Sequence, residues 1–291
     1  MKKLLLIFLL IFEHTMLAQI AATLTMPAST HEVINKKIDK LLRKSTGNKS
    51  VIENSNIDTQ NPNTNTENLI IKNLISDRNI VFDIGANNGD WSNQVLLNHK
   101  DICIFLFEPI NFLVESMRKR FENKNIKIYE SAVFSEEKTI VFNYYEKWPQ
   151  SSSIYAQNWL TTCLEEPKKI LVNAISLDKF CVDNKIDHID FLKIDVEGCE
   201  LDALNGSSDL LKKRAIDFIQ FAYHRAYFGA QISLKQIYNL LTNFKYSIFR
   251  EHVDGLVYIP QWDDALENYR RSNYIAVANF IPNSTTLVPQ K

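Results

Sequence analysis

From residue 69 onward, short continuous apolar runs alternate with segments whose apolar residues recur at helical spacing. The runs are 80–84, 102–107, 126–129, 191–194 and 216–221. Trp91, Val95 and Leu96 follow the first at helical spacing, 111–121 follows the second, Leu201, Leu204, Leu210 and Leu211 follow the fourth, and 234–244 follows the fifth. An unbroken apolar strand is buried on both faces, and a helix after each such strand supplies the crossover that parallel strands need. The chain is therefore expected to fold as an α/β domain around a mostly parallel sheet. Two later β-like runs, 246–250 and 274–278, are close enough to finish the sheet as an antiparallel pair. Residues 139–145 and 170–175 predict extra strands outside the alternation. The loop between them carries Trp148, Pro149, Ser151 to Ser153, Tyr155 and Trp159, and reads as a lid or substrate-binding element.

Composition agrees with one such domain plus extensions. The 291 residues are 45% hydrophobic and 23% charged, which suits a substantial core and excludes a disordered chain, a collagen-like repeat or a multi-span membrane protein. A formal net charge of −1 leaves no surplus of Lys and Arg for phosphates, so no nucleic-acid partner is expected. Cys103, Cys163, Cys181 and Cys199 are widely spaced, with no C-x-x-C pair and no His at metal-ligand spacing, so neither a disulfide framework nor a zinc site is indicated.

Ahead of the domain, residues 1–22 read as a signal-like or anchor segment. Lys2 and Lys3 precede an apolar run over 4–12, too short for a bilayer of about 30 Å, with Ala18 at the cut. A true start at Met16 or Met26 is the alternative. Residues 23–68 are expected to hold an amphipathic helix and an Asn-rich linker. Ile34, Ile38, Leu41 and Leu42 share one helical face, with Lys36, Lys37, Lys40, Arg43 and Lys44 around it. Such a helix lies on its own domain or on a membrane surface, and the first is favoured. The folded domain is expected over 69–285.

The sharpest motif closes the first run: Val81-Phe82-Asp83-Ile84-Gly85-Ala86-Asn87-Asn88-Gly89-Asp90. A glycine turn between strand and helix brings a ligand close to the backbone and aims helix N-terminal N–H groups at it. The chain has only 7 glycines, so two in one turn carry weight. Asn87 stands where a third glycine would, and asparagine tolerates left-handed angles. The spacing is not the G-x-G-x-x-G of a dinucleotide site, and Asp83 ahead of the turn suits a ligand with a cationic amino-acid end. Glu108 ends the second run, where a carboxylate accepts two hydrogen bonds from a ribose diol. Lys193-Ile194-Asp195-Val196-Glu197-Gly198-Cys199-Glu200 sets three carboxylates at the end of a buried strand, the edge where open α/β sheets bind ligands. Asp195 and Glu197 are the candidate site residues. Glu200 fits a helix first turn, where its charge favours the dipole.

In order along the chain, Asp83-Ile84-Gly85-Ala86-Asn87, Phe107-Glu108-Pro109, Ser131-Ala132-Val133 and Lys193-Ile194-Asp195-Val196-Glu197-Gly198 resemble the FkbM-type family of class I methyltransferases, which use S-adenosylmethionine. Likeness continues through 216–221, 234–238, Gly255-Leu256, 266–268 and Asn273-Tyr274. The resemblance implies a Rossmann-like, doubly wound, seven-stranded sheet, mostly parallel with an antiparallel last strand. It implies that Asp83 and the turn Gly85, Ala86, Asn87, Asn88 and Gly89 hold the methionine end of the cofactor. Glu108, with Pro109 beside it, would hold the ribose, and Ser131 and Ala132 would lie by the adenine. One departure stands out. Related sequences often read Gln-Phe-Glu-Tyr-Gly-Gly where this chain has Gln220-Phe221-Ala222-Tyr223-His224-Arg225. The change points to a different acceptor, such as an anionic one met by Arg225, or to lost turnover.

Methyl transfer needs acceptor and methyl group in line, water kept out, and a proton taken from a hydroxyl acceptor. Asp195 is expected to be the general base or orienting group, Glu197 its support, and His224 an alternative base, its ordinary pKa of about 6.5 suiting that task. Paired acids can hold a divalent ion, but the sequence requires no metal. The resemblance suggests O-methylation of a carbohydrate or secondary-metabolite hydroxyl. Two rivals are a non-catalytic cofactor-binding or interaction protein, prompted by Ala222, and a nicotinamide dehydrogenase, disfavoured by the glycine spacing. The N-terminus suggests export or membrane association, whereas the cofactor's supply suggests the cytoplasm.

Overall fold

The computed structural model describes residues 28–42, 64–157 and 166–282. The signal-like segment, most of the Asn-rich linker, Trp159 and Cys163 lie outside them. Helices α1 (Ala28–Leu41) and α2 (Thr64–Leu74) lead into β1 (Ile80–Ile84), α3 (Asp90–Asn98), β2 (Cys103–Phe107), α4 (Asn111–Arg120) and β3 (Ile126–Tyr129). A smaller sheet follows, built from β4 (Ala132–Val133), β5 (Lys138–Tyr144) and β6 (Lys168–Ile175) in the order β4-β6-β5. The alternation then resumes through α5 (Leu177–Asn184), β7 (Ile189–Ile194), the short helices α6 (Glu200–Asn205) and α7 (Ser208–Lys213), and β8 (Ile216–Tyr223). After it come α8 (Ala226–Ala230), α9 (Leu234–Asn243), β9 (Ser247–His252), β10 (Gly255–Ile259) and β11 (Ser272–Val277).

The main sheet has eight strands in the order β10-β9-β11-β8-β7-β1-β2-β3. The β7–β8, β7–β1, β1–β2 and β2–β3 pairs are parallel, and β11 runs antiparallel to both β8 and β9. The antiparallel last strand is therefore present, but the count of seven is corrected to eight. The added strand is β10, hairpinned to β9 through the pairing of Gly255 with His252. Each strand divides its side chains between two cores, as a period of two requires. Phe82, Ile84, Phe107, Leu192, Ile219 and Phe221 face α5, α6, α7 and α9. Val81, Leu106, Phe191, Phe218, Phe249 and Ile275 face the N-terminal helices.

On that second face α1 buries Ile34, Ile38 and Leu41, each worth about 1.5–3 kcal/mol of transfer free energy. Lys37 Nζ donates to Leu74 O at 2.7 Å, and Leu42 bridges to Leu256, so the basic helix lies on its own domain. Helix α2 starts at Thr64, inside the stretch read as linker. Its polar first turn hides the helix from a hydrophobic reading, while Ile70, Ile71 and Leu74 are fully buried.

Candidate active site

The chain leaves β1 through Gly85–Gly89, where Gly85, Asn87 and Gly89 take φ values of 77°, 52° and 79°. The N–H groups of Gly85 and Ala86 both donate to Phe107 O, at 3.0 and 3.1 Å, clamping the turn onto β2. A Cβ on Gly85 would lie 2.1 Å from Asp195 O, so only glycine lets the ends of β1 and β7 close up here. The result is a cleft of about 510 Å³, open to solvent, at the carboxyl edge of the sheet. Of the predicted residues, Gly85, Asn87, Glu108, Pro109, Ser131, Ala132, Asp195 and Glu197 line it.

Glu108 is 5% exposed, and its rotamer is fixed by two main-chain donors: Asn87 N–H to Oε2 at 2.9 Å and Ile110 N–H to Oε1 at 3.0 Å. Each oxygen keeps a further lone pair for a diol. Burial pushes its pKa up to about 7.

Asp83 does not line this cleft. Strand alternation turns it from the cleft toward α3, where Ser92 Oγ donates to Oδ2 at 2.7 Å and Lys193 Nζ to Oδ1 at 3.2 Å. It is wholly buried behind the turn. Ala86, Asn88, Gly89 and His224 also lie outside the cleft lining; Gly89 packs on Phe121, and Asn88 accepts from Asp90 N–H at 3.3 Å. Lys193, on β7, is the cation of this arrangement. Burial works against its charge, yet Asp83, Asp195 and Glu67 together hold its pKa above the usual lysine value.

Beyond β7, burial opposes the charge of Asp195, but Lys193 at 4.0 Å and Arg271 at 3.8 Å outweigh it and keep the carboxyl below its usual range. Glu197 has a left-handed φ of 55°; burial, then the charge of Asp195, raises its pKa well above normal. His224 follows β8, and burial pushes its pKa down to about 4. One nitrogen of His224 and one oxygen of each of Asp195 and Glu197 lie within 4.8 Å of one another. Glu200 secures the loop that carries these acids, accepting from Val196 N–H at 3.0 Å and Gly198 N–H at 2.9 Å.

The loop after β5 docks on the same segment. Gln157 Nε2 donates to Glu197 O at 2.8 Å, Tyr155 Oη to Asp202 at 2.9 Å, and Pro149, Gln150 and Ser152 wall the cleft. At Ala222 the strand lacks the family carboxylate, but another stands two strands away. Glu251 on β9 accepts from Gln220 Nε2 at 2.6 Å and Asn273 Nδ2 at 3.4 Å, and Asn273 pairs with Ala222. Burial pushes Glu251 up to about 7. Sequence reading missed Glu251, Glu67 and Arg271, which no local motif marks.

A mostly parallel sheet with a glycine turn and acids at its carboxyl edge is a Rossmann-like arrangement, and the family match makes the protein a class I methyltransferase, an enzyme dependent on S-adenosylmethionine. The chain belongs to the FkbM methyltransferase family, whose domain it matches over residues 83–249. It is 24% identical over 181 residues to the 2-O-methyltransferase NoeI of Sinorhizobium fredii, covering 57% of this chain and 72% of that protein. It is 22% identical over 149 residues to Methyltransferase 1 of Beauveria bassiana, covering 46% of this chain and 60% of that protein. Among solved structures, the N-methyltransferase NodS of Bradyrhizobium japonicum is similar with a TM-score of 0.40 and 9% identity, over 75% of this chain and 96% of that one. Among the described residues no helix is long and apolar enough to cross a membrane.

Proposed function

We propose that this enzyme methylates a hydroxyl of a carbohydrate-type acceptor, and that the cleft between Glu108 and Asp195 is where it does so. S-adenosylmethionine supplies an electrophilic methyl group on a sulfonium when bound. The residues present suit such a ligand: Glu108 keeps acceptor capacity for the ribose diol, and carboxylates on both sides of the cleft complement a cation. Gly85 and Asn87 offer close main chain to the methionine end, while Pro109, Ser131 and Ala132 flank the adenine. Asp83 supports the site from behind through Lys193. Asp195 takes the acceptor proton, and Glu197 shapes its surroundings. The relative named as a 2-O-methyltransferase supports an oxygen acceptor.

The observation that carries this reading is the shared cleft of Glu108 and Asp195. Replacing Glu108 by Ala should weaken S-adenosylmethionine binding by at least about tenfold in calorimetry, the loss of two charge-assisted hydrogen bonds. Unchanged affinity would overturn the placement of the ribose.

A further inference from the structure

Two buried polar atoms at the site have no partner within hydrogen-bond distance among the described residues: His224 Nε2, with Glu197 Oε1 beyond that distance at 3.6 Å, and Asp195 Oδ1. Buried polar atoms are nearly always satisfied, so two orphans on converging side chains mark a place for a ligand group. His224 is 6% exposed, while the Asp195 side chain is 27% exposed and opens onto the cleft.

The tautomer decides what that group can be. Ala226 N–H donates to His224 Nδ1 at 3.3 Å as the chain enters α8. Nδ1 is thus an acceptor, so a neutral imidazole carries its proton on Nε2. His224 therefore offers a donor, and Asp195 Oδ1 an acceptor. A divalent cation between them would need the Nε2 lone pair, which this tautomer does not provide. An ammonium has only donors and cannot satisfy Nε2–H. A hydroxyl does both.

We infer that His224 Nε2–H and Asp195 Oδ1 together hold the acceptor hydroxyl, making His224 a proton-retaining donor that selects oxygen and not the base of the reaction. The inference rests on the methyl-transfer reading above and adds the acceptor atom and the role of His224. With one lone pair bound to Nε2–H and its proton directed at Oδ1, the acceptor oxygen has one lone pair left to attack. The C–O bond forms as the methyl–sulfur bond breaks, the bonding pair stays on sulfur, and the hydroxyl proton passes to Asp195 Oδ1. Asp195 need not be a strong base, because the oxygen becomes strongly acidic as it acquires the methyl group. The neutral state of His224 accords with its burial, which together with Arg271 and Arg225 outweighs the opposing charge of Asp195.

Nitrogen-15 NMR of histidine-labelled full-length chain reads the tautomer directly, with His224→Gln assigning the signal. The expected result is a neutral Nε2–H ring at pH 7; an Nδ1–H ring or an imidazolium overturns the inference. Methyl transfer is then measured on glucose, galactose and rhamnose, and on glucosamine and galactosamine. The methyl group should appear on oxygen. His224→Leu should lose about 100-fold in turnover, as for removal of one transition-state donor, with S-adenosylmethionine affinity within about twofold of wild type. His224→Gln, which restores an N–H, should recover a tenth or more of the rate. N-methylation of the amino sugars, or full activity in His224→Leu, overturns the inference. If no sugar is methylated, the carbohydrate reading fails, and the NMR result alone decides the role of His224.

Discussion

At the scale of single residues, the two cleft carboxylates differ in what holds them. Glu108 is bound by neutral main-chain donors and pushed up to about 7 by burial, whereas Asp195 is held ionised by Lys193 and Arg271. Only the ionised form of Glu108 can accept from both ribose hydroxyls and keep its two main-chain bonds. Cofactor affinity should therefore rise with pH through 7, falling roughly eightfold between pH 7.5 and pH 6 as one proton must be displaced. Calorimetry across that range should show the slope in the wild type and a flatter one in Glu108→Gln. The same raised pKa has a stability consequence of defined sign. The folded state holds more protons than the unfolded state between about pH 4.5 and 7, so this group's contribution to stability declines as pH rises through that window. Asp195 is different: Asp195→Asn should leave S-adenosylmethionine binding measurable while lowering methyl transfer by 100-fold or more, within the usual range for general acid–base groups. Unimpaired transfer by that variant would remove Asp195 from the chemistry.

Among the elements, the turn after β1 has the least tolerance. Gly85→Ala places a Cβ 2.1 Å from Asp195 O at a φ of 77°, so either β1 and β7 part or the turn changes hand. We expect a loss of about 2–4 kcal/mol in denaturant unfolding, accompanied by loss of cofactor binding; an alanine variant as stable as wild type would contradict the close approach. That turn was legible because glycine spacing at a strand end is a local signal. The strands of the parallel core were legible for a related reason: burial on both faces leaves a continuous apolar run such as Val81-Phe82 or Leu192 with its neighbours. Other elements were hidden by the same logic. β10 is a five-residue strand opening on Gly255 behind a hairpin, with two of its residues only half-buried, and α2 opens on Thr64, Asn65 and Thr66, which resemble linker until Ile70 and Ile71 meet the sheet. The side of the sheet that Asp83 faces was not legible from the motif alone. Its place at the strand end was visible, and the two-residue period puts it with Val81 on the α3 side, where Ser92 meets it.

Across the whole molecule, the site depends on a charge network that joins segments distant in sequence, which is why no motif announced it. Lys193 on β7 donates to Asp83 on β1 and lies near Asp195, while the charge of Glu67 on α2 acts on it and Arg271, just before β11, pairs with Asp195. The Lys193 side chain is 12% exposed and that of Asp83 0%, so little water screens the pair. Removing one partner of such a pair strands the other, at a cost of about 3–5 kcal/mol. Lys193→Met keeps the length and apolar stem but leaves Asp83, Asp195 and Glu67 facing one another. The raised pKa of Lys193 means its contribution is fully present below the ordinary lysine value, so at pH 8 the wild type retains all of it and the variant none. Lowering the pH protonates Glu67, whose pKa burial already raises, and relieves the repulsion in the variant. The gap in unfolding free energy should therefore be widest near pH 8 and narrow toward pH 5, as chemical denaturation at the two values would show. A gap independent of pH would mean that Lys193 acts by packing alone. Because Glu67 belongs to α2 and Asp83 to the strand that forms the cofactor turn, weakening this network should loosen the helical layer and the cleft together, linking cofactor affinity to the seating of α2.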